Sequence, residues 1–470
     1  MPDLLPHSGG EGWQTTTPLL PHQQDAVAKL LPTRVGALFA EMGTGKSRVV
    51  IELAKLRQTK IDRVLWFCPV SAKETISREI QKHTVGSSVY VFDQKTSEKN
   101  IGQAAWYVIG TESVSSSARV YLTANKLVDN RTMVIVDESH QIKGHKALRT
   151  KRLTALAAGA RYRMVLTGTP LSQGAVDLFA QMRFLSPKIL GYRSFWSFAE
   201  RHLVYSTEFR GKIERTINTE YLAARINPYV YQITKEECLT LPEKLYTDEY
   251  CRLSDEQYVA YEDAKQEFFE DIEFDDSWER SIHIFRLFTR LQTIVCGFDG
   301  WHTFPHKRID LLKMTLEQIP KDEPVVIWAK YHYCLQKIIE NLQDDKTYQY
   351  HGRLSESQRQ QQLDQWRKKG GYLVATQASG GASIDLTHAA HVVYYANGFK
   401  YSERQQSEDR CHRIGQKRRV VYTDLWADAG IDSRIQVSLA TKQNVAESFR
   451  KEVQAIRTAR HDVKRFIQSL

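Results

Sequence analysis

The chain has 470 residues, a net charge of +10 and a pI near 9.1, so its length exceeds what one core supports and its charge leans toward a polyanionic partner. Six cysteines (68, 238, 251, 296, 334, 411) lie far apart without a C-x-x-C or a Cys/His cluster, which excludes a zinc framework and a disulfide scaffold and fits a reducing compartment. No eighteen-residue apolar run occurs and the opening MPDLLPHSGGEGWQ has no basic-then-apolar signal, so the expectation is a cytoplasmic or nuclear protein, neither secreted nor membrane-bound.

Short apolar runs alternate with helical patterns in the first third: GALFA (36–40), VLWFCPV (64–70), WYVIG (106–110), MVIVD (133–137) and YRMVLTG (162–168). Runs of this length ending in polar or glycine turns predict buried parallel strands of an α/β domain. The first run leads into AEMGTGKS and then an apolar-periodic helix. Gly43, Thr44 and Gly45 can close backbone N–H groups around phosphate oxygens. Lys46 can reach the outer phosphates, and the Ser47 hydroxyl can ligate Mg²⁺. The strict G-x-x-x-x-G-K-[ST] pattern wants glycine where Ala40 stands.

A lone Asp-Glu at a strand end is most often solvated. A phosphate loop, however, needs a second acid for the metal and a group to aim water. MVIVDE supplies Asp137 toward Mg²⁺ and Glu138 toward the attacking water. The basic stretch KGHKALRTKR follows, in which Lys143, Lys146, Arg149, Lys151 and Arg152 are candidates for phosphate contacts. Residues 186–305 turn aromatic, charged and mostly helical in period. Strand-like runs return at VVIWA (325–329), YQYH (348–351), YLVAT (372–376), HVVYY (391–395) and VVYTDLW (420–426), and amphipathic helices end the chain. In QQSEDRCHRIGQKRR, Arg410 and Arg413 are three apart and on a helix share a face, as candidate arginine fingers; Lys417 and Arg418 follow as phosphate contacts.

The ordered series from about residue 17 to 440 resembles a Swi/Snf-type ATPase of helicase superfamily 2. LLPHQQDAV is similar to the family's adenine-reading segment, implying that role for Gln23. AEMGTGKS resembles motif I and VDESHQIKG motif II, with His140 as its fourth residue. LTGTPLSQ resembles motif III and implies that Thr167, Gly168 and Thr169 couple the ATP and DNA sites. The second-lobe series implies that Gln406, Arg410 and Arg413 face the nucleotide and that Ser379 and Gly380 face DNA. Departures include Ser139 for the usual Ala, Ser383 for Gly, Asp385 for Asn, and Tyr231-Gln232-Ile233-Thr234 for an Arg-Arg-x-Lys.

The resemblance implies an α/β fold of two RecA-like lobes, with ATP and Mg²⁺ in the cleft between them. Expected boundaries are a first lobe over 1–185, a mostly helical insertion over 186–305, a second lobe over 306–435 and brace helices over 436–470. The expected activity is ATP-dependent translocation on duplex DNA, sequence-independent and monomeric. A strand-separating DNA or RNA helicase, or a nucleic-acid scaffold without turnover, are the other readings.

Overall fold

The computed structural model describes residues 12–168, 175–205, 213–271, 277–300, 302–342, 346–380 and 384–441. The chain divides into two compact units, Met1–Thr240 and Leu241–Leu470.

The first unit is built on a seven-stranded parallel sheet. Its order is Val230–Ile233, Val35–Ala40, Tyr162–Thr167, Thr132–Val136, Arg63–Cys68, Trp106–Gly110 and Val89–Val91. The expected strands of the first third are all present. Successive side chains point to opposite faces, so each apolar run feeds two cores. Leu38, Trp66, Val108 and Ile135 join the core on one face; Phe39, Phe67, Ile109 and Val136 join that on the other. Helices cover both faces, as unbroken apolar parallel strands require.

The second unit repeats the plan with six parallel strands, in the order Lys244–Cys251, Val420–Ala427, His391–Tyr394, Val325–Ala329, Tyr372–Thr376 and Thr347–Tyr350. Val326 and Trp328 enter one core, Val325, Ile327 and Ala329 the other. A further core joins the helices Asp255–Asp271, Ser277–Val295 and Gly430–Ala440. Among the described residues, no helix is long and apolar enough to cross a membrane.

The stretch 186–305, read from sequence as one helical insertion, is divided between the units. Val230–Ile233 pairs in parallel with Val35–Ala40 and becomes an edge of the first sheet. Lys244–Cys251 pairs over eight residues with Val420–Ala427 and becomes an edge of the second. The division at Thr240/Leu241 falls between these two strands. Of the expected terminal brace, only its start belongs to a described helix, Gly430–Ala440; residues 442–470 lie outside the described residues.

Candidate nucleotide site

In the first sheet the strand Tyr162–Thr167 lies between the strand Val35–Ala40 and the strand Thr132–Val136. All three run parallel, so the loops that follow them emerge at one carboxyl edge, where open α/β sheets bind ligands. Sequence-distant residues 41–47, 137–140 and 168 are thereby brought to one place.

The loop after Val35–Ala40 turns on two glycines, Gly43 at φ 84° and Gly45 at φ 83°. A side chain in either position would force a left-handed conformation that only glycine adopts freely. Gly45 is the N-cap of the helix Lys46–Leu56 and no side chain caps that terminus. The first turn of such a helix presents backbone N–H groups and the positive end of its dipole to an anion. The Lys46 ammonium folds back onto the carbonyl oxygens of Ala40 at 2.8 Å and Glu41 at 3.3 Å. Ser47, half-buried, follows in the same turn.

Two buried side chains brace the loop. Gln23 (3% exposed) donates Nε2 to the Thr44 carbonyl at 3.2 Å and accepts the Leu20 N–H at 2.9 Å, and His22 Nε2 lies 2.9 Å from the same carbonyl. An amide has two donors and an acceptor with two lone pairs, and these two bonds use one donor and one lone pair of Gln23. His22 was not singled out by sequence; its signal was only adjacency to Gln23 at the start of a helix opened by Pro21. The edge strand adds a third brace. Glu41 N–H donates to the Ile233 carbonyl at 3.2 Å, and Glu41 Oε2 accepts the Lys235 N–H at 2.9 Å.

Asp137 continues the strand Thr132–Val136, its N–H donating to the Phe67 carbonyl at 2.7 Å. Burial and the adjacent Glu138 carboxylate push its carboxyl up to about 6, against the attraction of Lys46 and the Glu138 N–H at 2.9 Å. A buried carboxyl held protonation-prone by burial and by a second acid beside it, next to a phosphate loop, is the electrostatic setting a divalent cation relieves. Asp137 and the Ser47 hydroxyl are hard oxygen donors of the kind that could hold Mg²⁺, an ion that takes most of its ligands from phosphate and water.

Glu138 sits at φ 47°, ψ 52°, one of two non-glycine residues of positive φ among those described. This conformation is strained by about 1–3 kcal/mol and persists where surroundings over-determine it, as at active sites. His140 Nδ1 lies 3.3 Å from Glu138 Oε2. Ser139, between them, is fully buried and donates to Gln181 Oε1 at 2.7 Å. Thr167 is buried at the end of its strand, and a Cβ on Gly168 would meet Met42 at 3.3 Å, so this turn packs directly on the phosphate loop. Thr169 lies outside the described residues.

The second unit carries the other candidates. Arg410 lies on the helix Tyr401–Cys411 and is 3% exposed, and Gln406 is half-buried on the same helix. Arg413 does not share that helix, contrary to the sequence expectation. The helix ends at Cys411, the chain turns at His412 (ψ 80°), and His412 Nε2 lies 2.7 Å from the Pro242 carbonyl. Arg413 instead lies within electrostatic reach of Asp385. Burial raises the Asp385 pKa, but the Thr387 N–H and hydroxyl, with the Arg413 and Arg367 guanidinium groups, hold it below the usual range.

The helix itself is pinned by Arg404, which sequence reasoning did not select. Arg404 pairs with Asp424 through both terminal guanidinium nitrogens, Nη2 donating at 2.9 Å, and donates to Glu408 through Nε at 2.8 Å and to Asn397 at 2.9 Å. Glu408 also accepts from Lys244 and Tyr246, each at 2.8 Å, which locks the helix to the edge strand.

The candidate DNA residues divide by what they touch. Lys146 and Lys151 are exposed and Lys143 is half-buried. Arg149 donates to Gln141 at 3.4 Å, and Arg152 donates to the Val114 and Ser115 carbonyls at 2.8 and 3.3 Å beneath the Tyr121 ring. The Arg152 guanidinium is thus committed to its own fold. Lys417 is exposed, while Arg418 forms a forked pair with Glu323 at 2.6 and 2.8 Å. Ser379 donates to the Tyr350 carbonyl at 3.1 Å, and Gly380 closes the short helix Gln377–Gly380.

Residues 22–298 match the SNF2-related domain and residues 307–415 the helicase conserved C-terminal domain. A putative ATP-dependent helicase/translocase of Bacillus subtilis, YwqA, is 24% identical over 453 residues, covering 91% of this chain and 48% of its own. The human DNA annealing helicase and endonuclease ZRANB3 is 26% identical over 457 residues, covering 92% and 40%. The chain spans about half the length, or less, of the curated relatives it matches. The Sulfolobus solfataricus SWI2/SNF2 ATPase core in complex with dsDNA is 23% identical, with 92% of each chain covered and a TM-score of 0.44. Because the SNF2-related domain alone accounts for more than half of its residues, the chain belongs to the SNF2 family, the Swi/Snf-type ATPases of helicase superfamily 2.

Proposed function

We propose that the chain is an ATP-dependent motor that translocates on duplex DNA and remodels DNA structures or protein–DNA complexes. The observation that carries this reading is the convergence, at one sheet edge, of an uncapped phosphate loop with Lys46 and a strained acid pair with Lys46 in electrostatic reach of Asp137. In our reading the loop N–H groups and Lys46 hold the phosphates, and Ser47 and Asp137 hold Mg²⁺. When bound, that ion neutralises charge developing on the transferring phosphoryl oxygens. Glu138, held beside His140, orients a water and accepts its proton. Arg410 and Arg413 are proposed as arginine fingers, a contribution of about 10³- to 10⁵-fold.

Thr167, Gly168 and Thr169 are proposed to carry the nucleotide state to the DNA surface, since Gly168 rests on Met42 of the phosphate loop. Lys143, Lys146, Lys151 and Lys417, together with the backbone at Ser379 and Gly380, are proposed as sequence-blind phosphate contacts. The motor is proposed to act as a monomer in a reducing compartment, cytoplasm or nucleus, its six cysteines being free thiols.

The test is a pair of variants. Glu138→Gln is expected to lower turnover by at least about 10²-fold while ATP binding persists, the size of a lost general base. Lys46→Ala is expected to weaken both. Full turnover in Glu138→Gln, measured by phosphate release, overturns the role given to that carboxylate.

A further inference from the structure

Outside the nucleotide loops, the basic turn after the acid pair meets an aromatic cluster on the first unit. The His145 ring stacks on Phe195, 3.9 Å between centroids and 15° from parallel. Phe179 stands edge-on to both, at 6.3 Å and 5.4 Å, and Phe198 is fully buried among them. The Ser194 hydroxyl caps the helix Phe195–His202 by accepting the Ser197 N–H at 3.2 Å. The cap fixes which way each first-turn residue faces: Phe195 packs on His145, and Trp196 points to solvent.

Trp196 is 67% exposed, the most exposed large apolar side chain among the described residues. Leaving such a ring in water forgoes the gain of burying its apolar area. The Lys146 ammonium lies 5.6 Å from its centroid. Lys151 and Arg183 are exposed and within electrostatic reach of His145; Arg183 lies 5.9 Å over the Phe179 ring and donates Nη1 to the Arg193 carbonyl at 3.2 Å, which leaves its other donors to the surface. Burial, and then Lys146, Arg183 and Lys151, hold the His145 pKa below its usual value, so three cations and no carboxylate set the field at this cluster. Glu200, one turn further along, is the only acid on the helix.

A projecting ring on a rigid aromatic base, ringed by cations, suits a polyanion that also offers an aromatic face. Single-stranded nucleic acid is such a ligand, because each base can stack while lysine and arginine hold the phosphates. In a paired duplex the bases are already stacked and closed to the indole. We propose that Trp196 is a stacking platform for an unpaired DNA base, with Lys146, Lys151 and Arg183 on the neighbouring phosphates, so that the protein engages junctions between single and double strands. The proposal rests on the reading of the chain as a DNA motor and adds the form of DNA it prefers.

The test is equilibrium binding of the full chain, by fluorescence anisotropy at one fixed salt concentration, to a labelled single strand, a blunt duplex and a duplex with a single-stranded tail. Trp196→Ala is expected to weaken binding of the single strand and the tailed duplex by about tenfold, within the range for one base–aromatic stack, and the blunt duplex by less than about twofold. Trp196→Phe, which keeps an aromatic face, is expected to retain most of the affinity. ATP hydrolysis without DNA should be unchanged in both variants. Equal weakening on all three DNAs, or none on any, overturns the stacking role while leaving the motor reading intact. Failure of the unaltered protein to bind any of the three overturns both.

Discussion

Ser139 shows how a single residue can hold the acid pair. It stands where the family usually has alanine, with no solvent access, and its hydroxyl bridges to Gln181 on the helix Ala175–Leu185; Gln181 Nε2 in turn donates to the Asp177 carbonyl at 3.2 Å. The loop bearing Glu138 is therefore tied to the helix that follows the Thr167–Gly168 turn. Ser139→Ala leaves a buried amide oxygen without this donor, a loss of about 1–3 kcal/mol, whereas replacing both partners by apolar groups is close to neutral. Thermal denaturation should show Ser139→Ala less stable than the parent and Ser139→Ala/Gln181→Met largely restored. A single variant as stable as the parent contradicts the bridge. At this scale the motifs of the sequence placed Lys46, Asp137 and Glu138 in segments that the sheet brings to one edge. The sequence was silent where a partner comes from afar. Nothing near Arg404 pointed to Asp424, and nothing in the Arg410–Arg413 spacing revealed that the helix stops between them.

At the scale of elements, every long apolar run became a central strand, because a strand buried on both faces has no alternative to apolar side chains. The strands of the two large sheets that escaped notice are edges: Val89–Val91, Val230–Ile233 and Lys244–Cys251. Edge strands face solvent, and VYQI and KLYTDEYC mix polar and aromatic residues that match no buried pattern. One of these edges braces the phosphate loop through Glu41, so the site's support was the least legible part of the site.

The element ending Val325–Ala329 also carries a pH dependence. Lys330, just past it, donates to Gln292 Oε1 at 2.5 Å and lies 3.1 Å from the Phe399 centroid; burial lowers its pKa to about 7. The folded state thus releases this proton at lower pH than the unfolded chain, whose lysine titrates near 10.4. Between about pH 7 and 10 the unfolded state binds more protons, so stability rises with pH, and the penalty is fully present below pH 7. Lys330→Met should remove this contribution. In urea unfolding at pH 6.5 and pH 9, the parent should gain stability relative to the variant at the higher pH. A difference independent of pH contradicts the assignment.

For the whole molecule, the two α/β halves were legible because the strand pattern stops and then resumes. The middle stretch lends one strand to each sheet, and its own sequence does not reveal those pairings because the partner strands lie far away in the chain. The net charge of +10 has a consequence at this scale. If exposed lysines contact phosphates, DNA affinity should fall log-linearly with salt, each contact adding about 0.9 to the slope on duplex. Charge reversal at Lys143, Lys146 and Lys151 should both weaken binding and flatten that slope. Unchanged binding returns this stretch to an ordinary solvated surface.

The central claim is that the nucleotide site is driven by duplex DNA. It is tested most directly by ATP hydrolysis at one fixed salt concentration with no nucleic acid, duplex DNA, single-stranded DNA and duplex RNA. The account predicts strong stimulation by duplex DNA, abolished in Glu138→Gln. Stimulation by single strands or RNA with none by duplex DNA contradicts it in favour of a strand-separating helicase, and absence of turnover under all four conditions contradicts it in favour of a scaffold without catalysis.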